Sequence, residues 1–207
     1  MNYYIIAGEA SGDLHGSNLM KALLNKDVNA NFRFWGGDLM QEVSDGLVKH
    51  YKELAFMGFL EVIMNLKTIS KNLSFCKEDI LNYNPDVIIF IDYPGFNLRI
   101  AKWAKQKGFK THYYISPQIW AWKENRINDI KRDVDKMYVI LPFEKDFYGK
   151  HRVEAEYVGH PLLDEIKHIH LDEQKFRDEI GVQNSKPIIA LLPGSRTQEI
   201  KLLLEPI

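Results

Sequence analysis

The stretch PDVIIFIDYPGFN (residues 85–97) decides the fold. Its apolar run has no polar residue at alternate positions, so a strand formed here is covered on both faces. Pro85 opens the run and Asp92-Tyr93-Pro94-Gly95 closes it, which limits it to strand length. Asp92 then stands at the carboxyl end of the most buried strand in the chain.

The same alternation repeats on either side. YYIIAG (3–8) reads as a buried strand and 14–24 as a helix. FRFWGG (32–37) is a strand running into a Gly-Gly turn, and FKTHYYIS (109–116) and KMYVILP (136–142) are strands that each follow a helical stretch. Apolar runs alternating with amphipathic helices predict a parallel sheet with helices on both faces, a doubly wound α/β fold. From Val158 to Lys186 the chain turns polar and carries no strand, only a helix over Asp172–Ile180. PIIALLPGSR (187–196) then reads as a new strand, Ile188–Leu192, entering a new helix. The expected division is a first domain over 1–158, a linker region over 159–186, and the beginning of a second α/β domain over 187–207.

Composition narrows the function classes. With 27 Lys and Arg against 28 Asp and Glu, the net charge of −1 leaves no basic excess for nucleic acid. The lone Cys76 cannot form an internal disulfide, fits a reducing compartment and reads as a small buried thiol on a helix. The start MNYYIIAGEASGD has no basic n-region and only a strand-length apolar run, so it is not a signal peptide. No stretch approaches the roughly 18 apolar residues of a membrane span. A cytoplasmic protein is expected, one that can still rest on a membrane surface.

In an open α/β sheet, ligands bind outside the carboxyl ends of the strands, so the strand-to-helix turns are the places to read. The first is Gly8-Glu9-Ala10-Ser11-Gly12-Asp13. Its glycines permit a tight turn and close backbone approach, but the spacing is not that of the dinucleotide fingerprint, and FWGGD does not end the second strand on the required acid. A plain βα turn with Ser11 as helix N-cap is equally consistent with the spacing. Asp92, partly desolvated, is placed to be a general base, or else to cap the helix that starts near Pro94. In Pro193-Gly194-Ser195-Arg196-Thr197-Gln198, Ser195 and Gln198 have capping-box spacing. The helix start can seat a phosphate, and Arg196 supplies a fork for bidentate contact.

The run ELAFMGFLEVIMNLKTISKNLSF (53–75) reads as core, or as a surface for an acyl chain or bilayer with Lys67, Lys71 and Lys77 beside it. SPQIWAWKENR (116–126) mixes Trp120 and Trp122 with Lys123 and Arg126, suited to sugar rings or a lipid interface. Asp133-Val134-Asp135 precedes a strand rather than closing one, so it reads as a solvated helix end and not a metal–diphosphate motif. His168 and His170 lack a third ligand. No metal site and no cofactor are expected.

AGEASGDLHG, MGFLEV, IDYPGFN, YYISPQIWAWKENR, LPFEKDFY, VGHPL and LLPGSRTQEI occur here in the order found in lipid-A-disaccharide synthases, and the chain resembles that family from residue 3 onward. One departure is Gly95, where many members carry Asp. The resemblance implies a GT-B glycosyltransferase with two Rossmann-like domains and its active site between them. It implies transfer of diacylglucosamine from its UDP derivative to an acylated glucosamine phosphate, with inversion and release of UDP. The enzyme is expected to be peripheral on the cytoplasmic face of the inner membrane, and the resemblance is compatible with a homodimer. Asp92 and Arg196 are the expected catalytic residues. Gly8, Glu9, Ser11, Gly12, Asp13, Met57, Glu61, Asn97, Ser116, Trp120 and Ser195 are the expected substrate-binding ones. Most UDP contacts are expected beyond Ile207, so residues 1–207 alone should bind acceptor or membrane without turnover. The rival readings are a lipid- or membrane-binding module with no catalysis and, less favoured, a dehydrogenase-like nucleotide protein.

Overall fold

The computed structural model describes residues 1–54, 66–167, 172–183, 186–194 and 197–204. They form two compact units, Met1–Asp164 and Glu165–Ile207. The first unit carries β1 (Asn2–Ala7), α1 (Ala10–Leu24), β2 (Asn31–Gly36), α2 (Asp38–Gln41), β3 (Leu47–His50) and α3 (Leu66–Tyr83). Next come β4 (Val87–Ile91), α4 (Pro94–Gln106), β5 (Thr111–Tyr114), α5 (Ile119–Trp122) and α6 (Ile127–Asp133), then β6 (Lys136–Val139), α7 (Pro142–Lys150) and β7 (Ala155–Tyr157).

Among the described residues the strands make one sheet in the order β3-β2-β1-β4-β5-β6-β7, with every pairing parallel. The fold is doubly wound α/β, as the run at 85–97 predicts. Side-chain parity shows why that run is apolar throughout. Val87, Ile89 and Ile91 join Tyr3, Ile5, Ala7, Phe34, Met20 and Met40 in the core on one face. Ile88 and Phe90 join Tyr4, Ile6, Trp35, Tyr113 and the buried sides of α3 and α4 on the other. Each face therefore needs an apolar residue at every second position, and the two requirements interleave. Cys76 is fully buried on α3. A buried polar link ties the elements of that face together: Arg33 forks onto Asp79 at 2.6 and 2.8 Å, Asp79 accepts from the Tyr4 hydroxyl at 2.8 Å, and Trp35 Nε1 donates to Tyr4 at 2.9 Å.

The edge strands escape a sequence reading. β3 (LVKH) and β7 (AEY) each have one neighbour and side chains only partly covered, so neither needs an apolar run. In the second unit the helix expected over Asp172–Ile180 forms as Glu173–Glu179 with Asp172 capping it. The polar region also holds a short helix not foreseen, Leu162–Lys167, which spans the boundary between the units. The strand expected over Ile188–Leu192 is not formed. No other strand lies among the described residues of this unit, and an extended run without a hydrogen-bonded neighbour is not a strand. Its side chains are accordingly exposed, Leu192 to 91%. A helix, Thr197–Leu204, follows as expected.

Candidate active site

The strand order reverses direction between β1 and β4, the point at which open α/β sheets form their ligand crevice, outside the carboxyl ends of two adjacent strands. Ala7 and Ile91 pair in register, so the turns that follow them, Gly8-Glu9 and Asp92-Tyr93, are neighbours. A Cβ on Gly8 would collide with the Tyr93 ring, so only glycine lets the two turns close up. A Cβ on Gly12 would lie 3.0 Å from that of Ala7; its absence lets α1 settle on the sheet.

Asp92 (φ 42°) and Tyr93 (φ 49°) both adopt left-handed backbone, unfavourable for residues with a Cβ. The next strand end repeats the pattern with Ile115 (φ 64°), a β-branched residue for which this region is a true outlier. Strain thus gathers at the carboxyl ends of β4 and β5. The Asp92 carboxyl is mostly buried, and its pKa is pushed up to about 6. Burial is the main cause and the negative charge of Glu9 the second; a hydrogen bond with the Tyr93 backbone opposes them. Such a group is ionised at neutral pH yet keeps appreciable affinity for a proton, the property a general base needs.

The other expected site residues divide. Glu9 is the exposed N-cap of α1 and makes no side-chain cap bond, so the cap expected of Ser11 does not form; Ser11 is exposed in the first turn instead. Asp13 is buried, and its carboxylate accepts from the backbone N–H groups of Gly37 (2.7 Å), Leu39 (3.1 Å) and Met40 (3.1 Å), holding the turn after β2. Asn97, in the first turns of α4, reaches back to the ends of β1 and β4. Fully buried, its amide donates to the carbonyl of Asp92 at 2.7 Å and meets those of Ile6 and Ile91 at 3.3 Å. Ser116 is likewise buried, its hydroxyl 2.8 Å from that of Tyr148. Trp120 is partly exposed and stands edge-on to Phe143 at 4.9 Å, while Trp122 is more exposed and has Lys123 Nζ 4.4 Å above its ring. Met57, Glu61, Ser195 and Arg196 lie outside the described residues, as do His168 and His170.

The Asp133/Asp135 pair is not a solvated helix end. Asp133 is buried and receives Arg132 at 2.5 and 2.7 Å. Asp135 accepts from the Thr111 backbone and hydroxyl and pairs with Lys105, tying α6 to the start of β5. Among the described residues no group of three or more His, Cys, Asp or Glu is placed to hold a metal, and no helix is long and apolar enough to cross a membrane. Tyr113 escapes a sequence reading. Its fully buried hydroxyl donates to the Asp92 carbonyl at 2.6 Å, and in the sequence it is one aromatic among several in a strand.

The family model for lipid-A-disaccharide synthetase matches residues 3–207. The chain is 40% identical over 205 residues to the lipid-A-disaccharide synthase of Chromohalobacter salexigens, covering 98% of this chain and 52% of that protein. It is 42% identical to that of Trichlorobacter lovleyi (98% and 53% covered) and 43% identical to that of Francisella tularensis subsp. novicida (99% and 54%). The chain thus spans about half the length of the curated relatives it matches. Among solved structures it resembles a putative UDP-N-acetylglucosamine 2-epimerase from Listeria monocytogenes, with a TM-score of 0.61 at 11% identity, covering 85% of this chain and 50% of that one. It also resembles the Methanocaldococcus jannaschii UDP-GlcNAc 2-epimerase in complex with UDP-GlcNAc and UDP, with a TM-score of 0.60 at 15% identity, covering 87% and 54%. At such identities the structural likeness speaks for the Rossmann-like GT-B fold alone. The family match is of another order, running unbroken from the first strand of the sheet to the last residue, and on it the chain belongs to the lipid-A-disaccharide synthetase family.

Proposed function

We propose that this chain supplies the acceptor side of a glycosyltransferase that joins UDP-2,3-diacylglucosamine to 2,3-diacylglucosamine 1-phosphate, with inversion and release of UDP. The observation that carries the reading is the Asp92 carboxyl, its pKa pushed up to about 6 at the point where the strand order reverses. In the transfer, Asp92 takes the proton of the acceptor hydroxyl as that oxygen attacks the anomeric carbon. The bond from that carbon to the diphosphate breaks, and UDP leaves with the electron pair. At neutral pH a carboxyl with pKa about 6 is roughly nine-tenths ionised, so it is ready to accept that proton.

The rest of the assignment is carried over from the family resemblance. Gly8, Glu9, Ser11 and Gly12 shape the pocket over β1, with Asp13 and Asn97 supporting it from within. Arg196 and Ser195 are assigned to the departing diphosphate. Two of the solved relatives are UDP-GlcNAc 2-epimerases determined with UDP-GlcNAc bound, which fits a UDP-sugar donor for this fold. Trp120 and Trp122, both exposed, are assigned to the acyl chains or the cytoplasmic surface of the inner membrane, and Met57 and Glu61 are given the same role on the family motif alone. The exposed Trp120–Trp122–Phe143 group also favours a second reading, in which this portion only docks lipid.

Asp92→Asn in the complete enzyme tests the first reading. The substitution keeps the shape and removes the basic oxygen, and a positioned base contributes about 10²–10⁴ in rate. UDP release from UDP-diacylglucosamine and lipid acceptor should fall by that factor; a variant within threefold of wild type removes Asp92 from the mechanism.

A further inference from the structure

The two consecutive left-handed residues after β4 do not hold themselves in place. Neither is glycine, and the second is a tyrosine, so the surrounding structure must fix them. The fixing point is the main-chain oxygen of Asp92. The Asn97 amide donates to it at 2.7 Å from α4, and the Tyr113 hydroxyl donates at 2.6 Å from β5. A carbonyl oxygen has two lone pairs, and both are engaged. Both donors are fully buried, so neither is offered to a ligand. The Tyr113 ring already packs on Phe90 at 5.8 Å, a contact a phenylalanine would keep. What the hydroxyl adds is the bond to the strained turn.

We propose that Tyr113 is a positioning residue for the transfer reaction: with Asn97 it pins the Asp92 carbonyl and so aims the Asp92 carboxylate into the crevice above β1 and β4. The inference rests on the reading of Asp92 as the base. The charge of Glu9 acts on the carboxylate from the start of α1, and the Tyr93 backbone hydrogen-bonds to it. The carboxylate in turn acts on the Tyr113 hydroxyl of β5, as do Tyr148 from α7 and the charge of Arg126 from the β5–β6 connection. With the hydroxyl gone the turn relaxes, water reaches the carboxylate, and its proton affinity drops towards that of an ordinary carboxylate.

The test is Tyr113→Phe in the complete enzyme, beside Asp92→Asn and a control, Tyr83→Phe. Tyr83 carries a buried hydroxyl with no hydrogen-bond partner, so its removal should change neither rate nor pH profile. For Tyr113→Phe, kcat should fall by about tenfold or more while KM for donor and acceptor stays within about twofold, because the lost interaction serves the reacting geometry and not ground-state binding. The acid limb of the pH–rate profile should move down by about half a unit or more. A merely structural hydroxyl would lower the unfolding midpoint and leave the limb in place. If Tyr113→Phe does not accumulate as folded protein, Asn97→Ser removes the other donor and is read the same way. A Tyr113→Phe enzyme with wild-type kcat and acid limb, or one whose KM alone rises, overturns the positioning role even if Asp92→Asn is inactive. An active Asp92→Asn enzyme overturns the base and this inference together.

Discussion

Asp13 and Asp92 are two carboxylates at the same edge of the sheet, and the fold treats them in opposite ways. Asp13, on α1, is surrounded by donors: three backbone N–H groups of the turn after β2 point at its two oxygens. Asp92 receives a single backbone hydrogen bond, from Tyr93, and faces a second negative charge at Glu9. Its carbonyl, not its carboxylate, attracts the buried donors. A carboxylate saturated with donors is a structural strut. One left short of them in a half-buried crevice retains proton affinity and is available for chemistry.

Exchanging the two side chains for their amides should separate these roles. In the complete enzyme the largest effect belongs to the acid limb at Asp92: below about pH 6, kcat/KM should fall roughly tenfold per pH unit as the base is protonated, and a flat profile down to pH 5 would count against it. Next comes Asp13→Asn. Its amide cannot accept all three bonds, and losing charge-assisted bonds to a buried turn should cost about 2–4 kcal/mol in urea unfolding. A loss below about 1 kcal/mol would mean that the turn is held by other contacts.

Asp92→Asn should act on stability in the opposite sense. The folded pKa of about 6 lies above the roughly 3.9 of an unfolded Asp, so between those values the folded protein binds more protons and stability declines as pH rises. An uncharged Asn escapes that decline. At pH 8 the variant should therefore be more stable than wild type by on the order of 1 kcal/mol, discounted for solvent access to the turn, while turning over least. The smallest effect is at Gly95. Apart from its own helix turn, nothing lies within 4 Å of where a Cβ would stand, and the site is in the first turn of α4. Gly95→Asp should stabilise by about 0.5–1 kcal/mol through helix propensity and the favourable dipole, and a destabilised variant would show that the added charge strains the neighbouring Asp92 turn.

How much of this site is legible in the sequence depends on how local the signal is. The run at 87–91 announces its own burial, and that alone puts Asp92 at a strand end. Asp13 and Asn97 are expected at a ligand because their motifs contain them; their bonds go instead to Gly37 and to the β1 and β4 carbonyls, contacts that no spacing predicts. Tyr113 is 21 residues from the carbonyl it holds, and a strand rich in aromatics conceals it. The strand at 188–192 fails for a related reason. Its pattern states a preference for extended backbone, but pairing needs a partner, and a partner is not a property of the segment.

The adjacency of β1 and β4 also governs the order in which this protein can be made. Asn2 and Asp86 meet across 84 residues of chain, and the turns after β1 and β4 become neighbours only when those two strands lie side by side. β1 leaves the ribosome early and must wait for β4, with α1, β2 and later α3 as the described elements made before β4 that it meets. Closing so large a loop is slow, because its entropic cost falls due before the contacts that reward it are made. The central pairing of the sheet, and the chemistry placed upon it, should therefore be late events in folding, following the β1–α1–β2 unit. In pulse-labelling hydrogen exchange, β1–β2 amides should gain protection before those of β4.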